Sequence, residues 1–375
     1  MQKKIIALAV AGMMSGAAFA QVTIGGKVDA GYQFKTTQAG ENNPGQTTQT
    51  LSDGGASTSR ITFGAKEKVN DDLEPGVSMD LRFGDFFAGK GGSTANAQSG
   101  GLNSNDKKAV YLQSKTFGRL QWGVQNIADD YYVAKKPYMV DPKDLEIVKY
   151  GIATYRTTLL TSRTTQYLTP TLSLGQFKLG GEGYYAFGDN SVSGANDADG
   201  VSSGDVVAGG LQFAYGKWVN GGFARTSRYS QGTAAANQNG FNHAKTFVNV
   251  YPIENLKLSA TYINQSGRVA GAAWQDKITN YVISYNFNGK AAIGAEYSVV
   301  RDVGESRNSG SGWMVGGAYF LTKTLYFYAA AQKNDWERRE SVGAGGGYNG
   351  TATSFSSNPT KADMKYYRVG LVKEF

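Results

Sequence analysis

The stretch Val22-Thr-Ile-Gly-Gly-Lys-Val-Asp-Ala-Gly-Tyr-Gln-Phe34 alternates strictly. Val22, Ile24, Gly26, Val28, Ala30, Tyr32 and Phe34 fall on one side of an extended chain, with Thr23, Lys27, Asp29 and Lys35 on the other. A period of two is the signature of a β-strand with two unlike faces. The pattern recurs in RITFGAK from Arg60, VSMDLRF from Val77 and RLQWGVQ from Arg119. In each, charged or amide side chains sit at mid-strand, where a water-soluble barrel or sandwich would place its apolar core. Tyr, Trp and Phe gather on the other face, towards the strand ends. Apolar outside and charged inside suits a closed sheet in lipid around water, because closure pairs every backbone group and leaves no edge.

Connections alternate between short and long. Short ones read Asn70–Gly76, Phe117-Gly118, Thr169-Pro170, Gly216, Pro252–Asn255, Asn286–Gly289 and Leu321–Thr324, mostly with the Gly, Pro, Asn and Asp of tight turns. Long ones, rich in Gly, Ser, Asn and Thr, fall near 37–57, 88–106, 127–151, 189–205, 230–243, 267–275, 302–311 and 334–362. Eight long and seven short connections separate sixteen strands, so the expected fold is an all-β, 16-stranded antiparallel transmembrane β-barrel.

Ahead of the first strand, Lys3 and Lys4 precede a mostly apolar stretch from Ile5 to Phe19 that closes on Ala18-Phe19-Ala20. A basic start, a short apolar run and an A-x-A site form a secretory signal peptide. About 15 apolar residues are too few to span a bilayer as a helix. Residues 1–20 are therefore expected to be cleaved after Ala20, leaving 21–375 as the barrel. Removing two Lys and no acid lowers the formal net charge from +8 to +6 over the remaining 355 residues. The chain has no Cys, which excludes a disulfide framework and thiolate metal sites. No later run of apolar residues reaches the length of a transmembrane helix.

These blocks resemble those of Gram-negative general porins of the beta-proteobacterial type. The resemblance is carried by Val22–Phe34, STSRITFGAKEKVNDDLEPGVSMDLRF, KKAVYLQSKTFGRLQWGVQ, QYLTPTLSLGQF, GGAYFLTKTLYFYAA and the final RVGLVKEF, in that order. Two positions depart from the family pattern: Gly123-Val124-Gln125 stands where a GRQ is common, and Arg163-Thr164-Thr165 replaces an Asp-Asn pair. The resemblance implies a passive outer-membrane channel for ions and small hydrophilic solutes, without cofactor. It also implies a homotrimer, contact with outer-membrane lipid and lipopolysaccharide, and delivery by the barrel assembly machinery, which would read the terminal Phe375. The small outward groups Gly26, Val28 and Ala30 suit close packing of a second barrel.

Strand parity supplies the candidate pore wall. With Ile, Val and Phe facing lipid, Lys27, Asp29, Arg60, Lys66, Asp80, Arg82 and Arg368 face the lumen. The last strand must meet the first, so these residues share one wall. The resemblance adds a third loop folded into the pore, from Ile127, carrying Asp129, Asp130, Asp141, Asp144 and Glu146 beside Lys135 and Lys136. Acids there facing a basic wall would set a field across a constriction. Fixed charge selects ions by sign, and a narrow low-dielectric passage concentrates counter-ions, so a mild anion preference is expected.

A solute-specific channel is the alternative, with Tyr131, Tyr132 and Tyr138 as a contact surface. A hydrolase using His243, the only histidine, is a third reading; no G-x-S-x-G elbow accompanies it. His243 is expected to be exposed, near a strand start or outer loop. Gly84–Lys90 nearly spells a phosphate loop, but Gly91 replaces the Ser or Thr and no helix follows. The Gly343–Gly350 stretch is loop composition. Basic residues alternate with apolar ones and form no exposed basic helix, so no nucleic-acid partner is expected.

Overall fold

The computed structural model describes residues 21–39, 46–52, 59–83, 102–103, 108–126, 160–186, 206–228, 241–269, 272–302, 309–340 and 355–375. They form one antiparallel sheet that closes on itself. The first strand is Gln21–Ala39. Both Gln46–Ser52 and Arg60–Lys66 pair with it, as two parts of an interrupted second strand. Leu73–Phe83 is the third strand; Leu102–Asn103 and Lys108–Ser114 both pair with it as the fourth. Gly118–Asn126 is the fifth, and Leu160–Leu168 with Leu172–Leu174 the sixth. Phe177–Ala186, Val206–Tyr215, Val219–Arg228 and Phe241–Val250 continue the meander as strands seven to ten. Leu256–Val269, Ala272–Phe287, Ala291–Asp302, Ser309–Thr322, Leu325–Glu340 and Phe355–Glu374 complete sixteen.

Closure joins the sixteenth strand to the first, from Lys27 opposite Glu374 to Ala39 opposite Ala362. Beyond the ladder, Gly26 N–H donates to Phe375 O at 2.9 Å and Phe375 N–H donates back to Gly26 O at 3.0 Å. The chain terminus is thus held by its main chain. Its ring lies over Gly26, where a Cβ would meet Phe375 Cζ at 2.7 Å.

The faces are inverted relative to a soluble protein. On the sixteenth strand, Tyr367 and Val369 are half exposed outward while Tyr366, Arg368 and Val372 are buried inward. Ile24, Leu211, Tyr281, Ile293, Trp313 and Phe327 repeat the outward pattern around the barrel. Among the described residues, no helix is long and apolar enough to cross a membrane. Seven short turns occupy one end, which in such barrels is the periplasmic one.

Three expectations about connections change. Thr169-Pro170 is no turn; it interrupts the sixth strand, because Pro has no N–H for the ladder. Thr169 compensates, its N–H donating to Gly181 O at 2.9 Å and its Oγ1 accepting from Gly181 N–H at 2.8 Å. The turn itself is at Gly175, which takes φ +62°. The connection expected at 267–275 shrinks to two residues, since the ladder runs to Val269 opposite Ala272. The segment expected at 334–362 is largely strand too, from both sides. Its sequence, rich in charged and polar residues, carries no clear alternation to signal a strand.

Asp72 ties two periplasmic turns together. Its carboxylate accepts from Ser114 Oγ at 2.8 Å and from Thr116 N–H at 2.9 Å, while its carbonyl accepts from Lys115 N–H at 3.1 Å. The Ser114 hydroxyl first, then the Thr116 groups, hold this carboxyl below its ordinary value of 3.8. A depressed carboxylate adds stability above its unfolded value that is lost as pH falls through the folded one. Asp72→Ala should therefore lower the urea midpoint at pH 7, with the difference from wild type closing as pH drops below about 4; a pH-independent difference would refute the role of the charge.

Candidate functional site

The register sets side chains inside the barrel in rows. At one level Glu374, Lys27, Arg60 and Arg82 lie opposite one another on strands sixteen, one, two and three. Neighbouring strands are about 4.8 Å apart, so Lys27 and Arg60 stand side by side, with Arg82 next in the register. Two like charges at that spacing cost about 1 kcal/mol in water and several times that at a low-dielectric surface. A row of this kind is tolerable on a wetted wall and not on the lipid face. Two residues towards the turns, Asp80 reaches Arg60, with Nη1 to Oδ2 at 3.4 Å. Near the rim Lys66 Nζ meets Glu74 Oε2 at 3.2 Å. Both pairs are partly exposed, and such pairs contribute about 0–1 kcal/mol.

Asp29 is placed differently from an open pore-lining charge. It is fully buried, and Tyr328 Oη donates to its Oδ1 at 2.9 Å. Its backbone N–H donates to Ser59 Oγ at 3.0 Å. Tyr328 reaches it by lying across two glycines in its own row, Gly370 and Gly31. A Cβ at Gly31 would meet Tyr328 Oη at 2.6 Å, so only glycine leaves room for the ring. Ala318, Tyr326 and Val372 pack beside Tyr328. This corner of the interior is an apolar clamp around the closing seam. Arg368 is buried next to it, its guanidinium 5.1 Å from the Tyr366 ring centre. Arg82 holds its expected register position. Asp129, Asp130, Tyr131, Tyr132, Lys135, Lys136, Tyr138, Asp141, Asp144 and Glu146 lie outside the described residues.

The interior carries charges that the sequence reading did not single out. Lys245 and Lys257 face inward and are buried. On one row Lys257 and Arg368 are separated by Ser284, Gly294, Gly316 and Ala330. A cation thus stands at each end of a stretch of small side chains. On the fifth strand the Arg119 guanidinium sits 3.8 Å over the Tyr111 ring, and that ring covers Gly76. Acceptors share the wall: Gln121 bonds Gln166, which donates to Glu182 Oε2 at 3.2 Å, and Tyr184 Oη donates to the same oxygen at 2.6 Å. Asn280 donates to Glu296 Oε1 at 2.5 Å.

His243 is corrected. It is only 3% exposed and lies within the tenth strand, on the inward face shared with Lys245 and Asn249. The strand begins at Phe241, which puts His243 inside by parity. Among the described residues no group of His, Cys, Asp or Glu could hold a metal ion. Gly123 marks a register shift in the fifth strand, at φ +144°. A Cβ there would run into the Lys108 carbonyl, so the Gly-Val-Gln departure sits on a bulge.

A closed sixteen-strand barrel with an apolar exterior and charged interior rows defines a membrane channel. A family model described as Gram-negative porin matches residues 7–338, and the chain belongs to that family. Solved structures agree on the fold. An anion-selective porin from Comamonas acidovorans superposes with a TM-score of 0.68 at 14% identity, over 95% of this chain and 100% of that one. OmpT of Vibrio cholerae, an outer membrane protein in its trimer form, gives 0.61 at 15% identity over 95% and 99%. The outer membrane channel DcaP of Acinetobacter baumannii gives 0.54 at 12% over 93% and 97%. No curated protein matches the chain. The protein is an outer-membrane porin, a water-filled channel through which ions and small hydrophilic solutes pass by diffusion.

The clamp makes a quantitative expectation. Tyr328→Phe removes one hydrogen bond from a buried carboxylate and should cost about 1–3 kcal/mol. Gly370→Val removes the seat of the ring and should lower stability further. Urea unfolding followed by tryptophan fluorescence would test both; wild-type stability in Tyr328→Phe would show the clasp to be idle.

Proposed function

We propose that the channel is a general diffusion pore with a mild preference for anions. The observation that carries this reading is the row Lys27, Arg60 and Arg82, with Glu374, Asp29 and Asp80 as the neighbouring acids among the described residues. Lys257 and Arg368, flanking their stretch of small side chains, support the same sign. In a narrow lumen, fixed cations raise the local anion concentration. The third loop, with Asp129, Asp130, Asp141, Asp144 and Glu146 against this wall, would set the field across the constriction, and Lys135 and Lys136 would moderate it. Passage makes and breaks no bond, and buried His243 has no catalytic part in it. The exported chain begins at Gln21 once the signal peptide is removed.

The protein works as a homotrimer in this reading, as the trimer form of the Vibrio cholerae relative suggests. Val28 and Ala30 leave the first strand low on its outer face; Gly26 is filled by the Phe375 ring. The main-chain pairing of Phe375 with Gly26 also fits its part as the residue that the assembly machinery reads.

Reconstituted in a planar bilayer, the protein should give stepwise ohmic conductance, and a tenfold salt gradient should give a zero-current potential of anion sign. Arg60→Glu with Arg82→Glu should move that potential towards cations; a cation preference in the wild type would overturn the reading. Deleting Phe375 should lower the amount of folded barrel in the outer membrane by several-fold, read as the heat-modifiable band on a gel, and an undiminished band would exclude the role.

A further inference from the structure

Cations on the inner wall are held in two ways. Arg60 and Lys66 meet carboxylates, those of Asp80 and Glu74. Arg119 rests on an aromatic face instead, its guanidinium carbon 3.8 Å from the centre of the Tyr111 ring. A carboxylate neutralises the charge it holds, whereas a ring face attracts a cation through its quadrupole and leaves the charge in place. Strand parity sets Tyr111 and Arg119 on the inner face, since Val110, Leu112 and Trp122 are exposed outward. The register puts Arg119 in one row with Gln113 on strand four, Glu74 on strand three and Leu168 on strand six.

The acid in that row is already engaged. Glu74 Oε2 lies 3.2 Å from Lys66 Nζ on strand two, away from Arg119. Among the described residues Arg119 forms no ion pair and none accepts a hydrogen bond from it, and its Nε is buried without a partner. A guanidinium carries five donors in a rigid plane and stays charged, so donors left unmatched away from water are costly. The ring fixes that plane. Tyr111 is itself seated over Gly76, where a Cβ would run into the ring. The row stands near the short turns, because Glu74 is eight residues from Arg82 on strand three, about 27 Å along the strand. It is therefore a different place in the pore from the row of Lys27 and Arg60.

We propose that Arg119, seated on Tyr111, is an oxyanion site at the periplasmic mouth, where the guanidinium fork takes two oxygens of a carboxylate or phosphate on a passing solute. Paired donors in one plane match those groups and do not match a halide. The side chain is partly exposed, so the lumen reaches it. A single fork beside water holds an anion weakly, and that suits a channel, in which a solute must bind briefly and leave. The proposal rests on the channel being a diffusion pore, whose solutes it narrows to small organic acids and phosphates. It does not rest on the sign of selectivity set by Lys27 and Arg60.

The full-length barrel in a planar bilayer bathed in potassium chloride is titrated with potassium succinate in one run, potassium phosphate in a second and potassium bromide as the control. The fall in single-channel current gives a half-blocking concentration for each oxyanion. Arg119→Lys keeps the charge and gives up the fork, and should raise that concentration about tenfold, the loss expected of one charge-assisted contact. Tyr111→Leu removes the seat and should raise it to a similar degree, with folding of both variants read from the heat-modifiable band. Block by succinate alone would assign the site to carboxylates, and block by phosphate alone to phosphate groups. Equal half-blocking concentrations in wild type and Arg119→Lys would overturn the proposal, as would a wild type blocked by neither oxyanion or a bromide response that changes as much. A cation preference in a salt gradient alongside the tenfold gap would sink the anion reading and leave this site standing; an anion preference without the gap would do the reverse.

Discussion

Backbone pairing in a medium without water is the constraint on which this structure depends. An amide left unpaired in hydrocarbon costs several kcal/mol, and a sheet of sixteen strands escapes that cost only by joining its ends. The join is long, from Ala39 opposite Ala362 to Gly26 paired with Phe375. It uses the chain terminus itself. The side chains at the seam follow from this. Phe375 covers Gly26 outside, while inside Tyr328 crosses Gly370 and Gly31 to reach Asp29. The two faces of one joint are thus closed by aromatic rings over glycine.

The same device recurs away from the seam. Tyr111 covers Gly76 on the interior, and Phe213 covers Gly221 on the exterior. A ring laid sideways over a glycine on the next strand fills a gap without adding height to the wall. Inside, that keeps the lumen open and gives Arg119 a face to rest on at Tyr111. Outside, it keeps the lipid surface smooth where it occurs; where alanines take the floor with no ring across them, as at Ala295 and Ala331, a hollow is left. Phe375, Tyr328, Tyr111 and Phe213 thus repeat one packing solution.

Much of this was legible because alternation is a local signal. Parity on VTIGGKVDAGYQF and RITFGAK put Lys27, Arg60 and Lys66 on one face of the sheet, and the two-class spacing of connections gave sixteen strands. The same parity, applied to FNHAKTFVNV and LKLSATYINQ, would have found His243, Lys245 and Lys257 inside. Other features had no local signal. Burial of Asp29 depends on Tyr328, 299 residues away in sequence. The break at Pro170 reads as a turn until the glycine at 175 is seen to take the positive φ. Inward Val372 and Tyr326 break the rule that the interior is polar, and only the packed corner explains them.

Alternation also ties architecture to selectivity more closely than either alone suggests. In an antiparallel barrel every inward residue belongs to a row that crosses all its neighbours, so a charge placed for one strand acquires fixed partners on the next. Lys27, Arg60 and Arg82 form a row because their strands share a register, and that register was set by closure. On the wet side, water makes such a row inexpensive and a source of field.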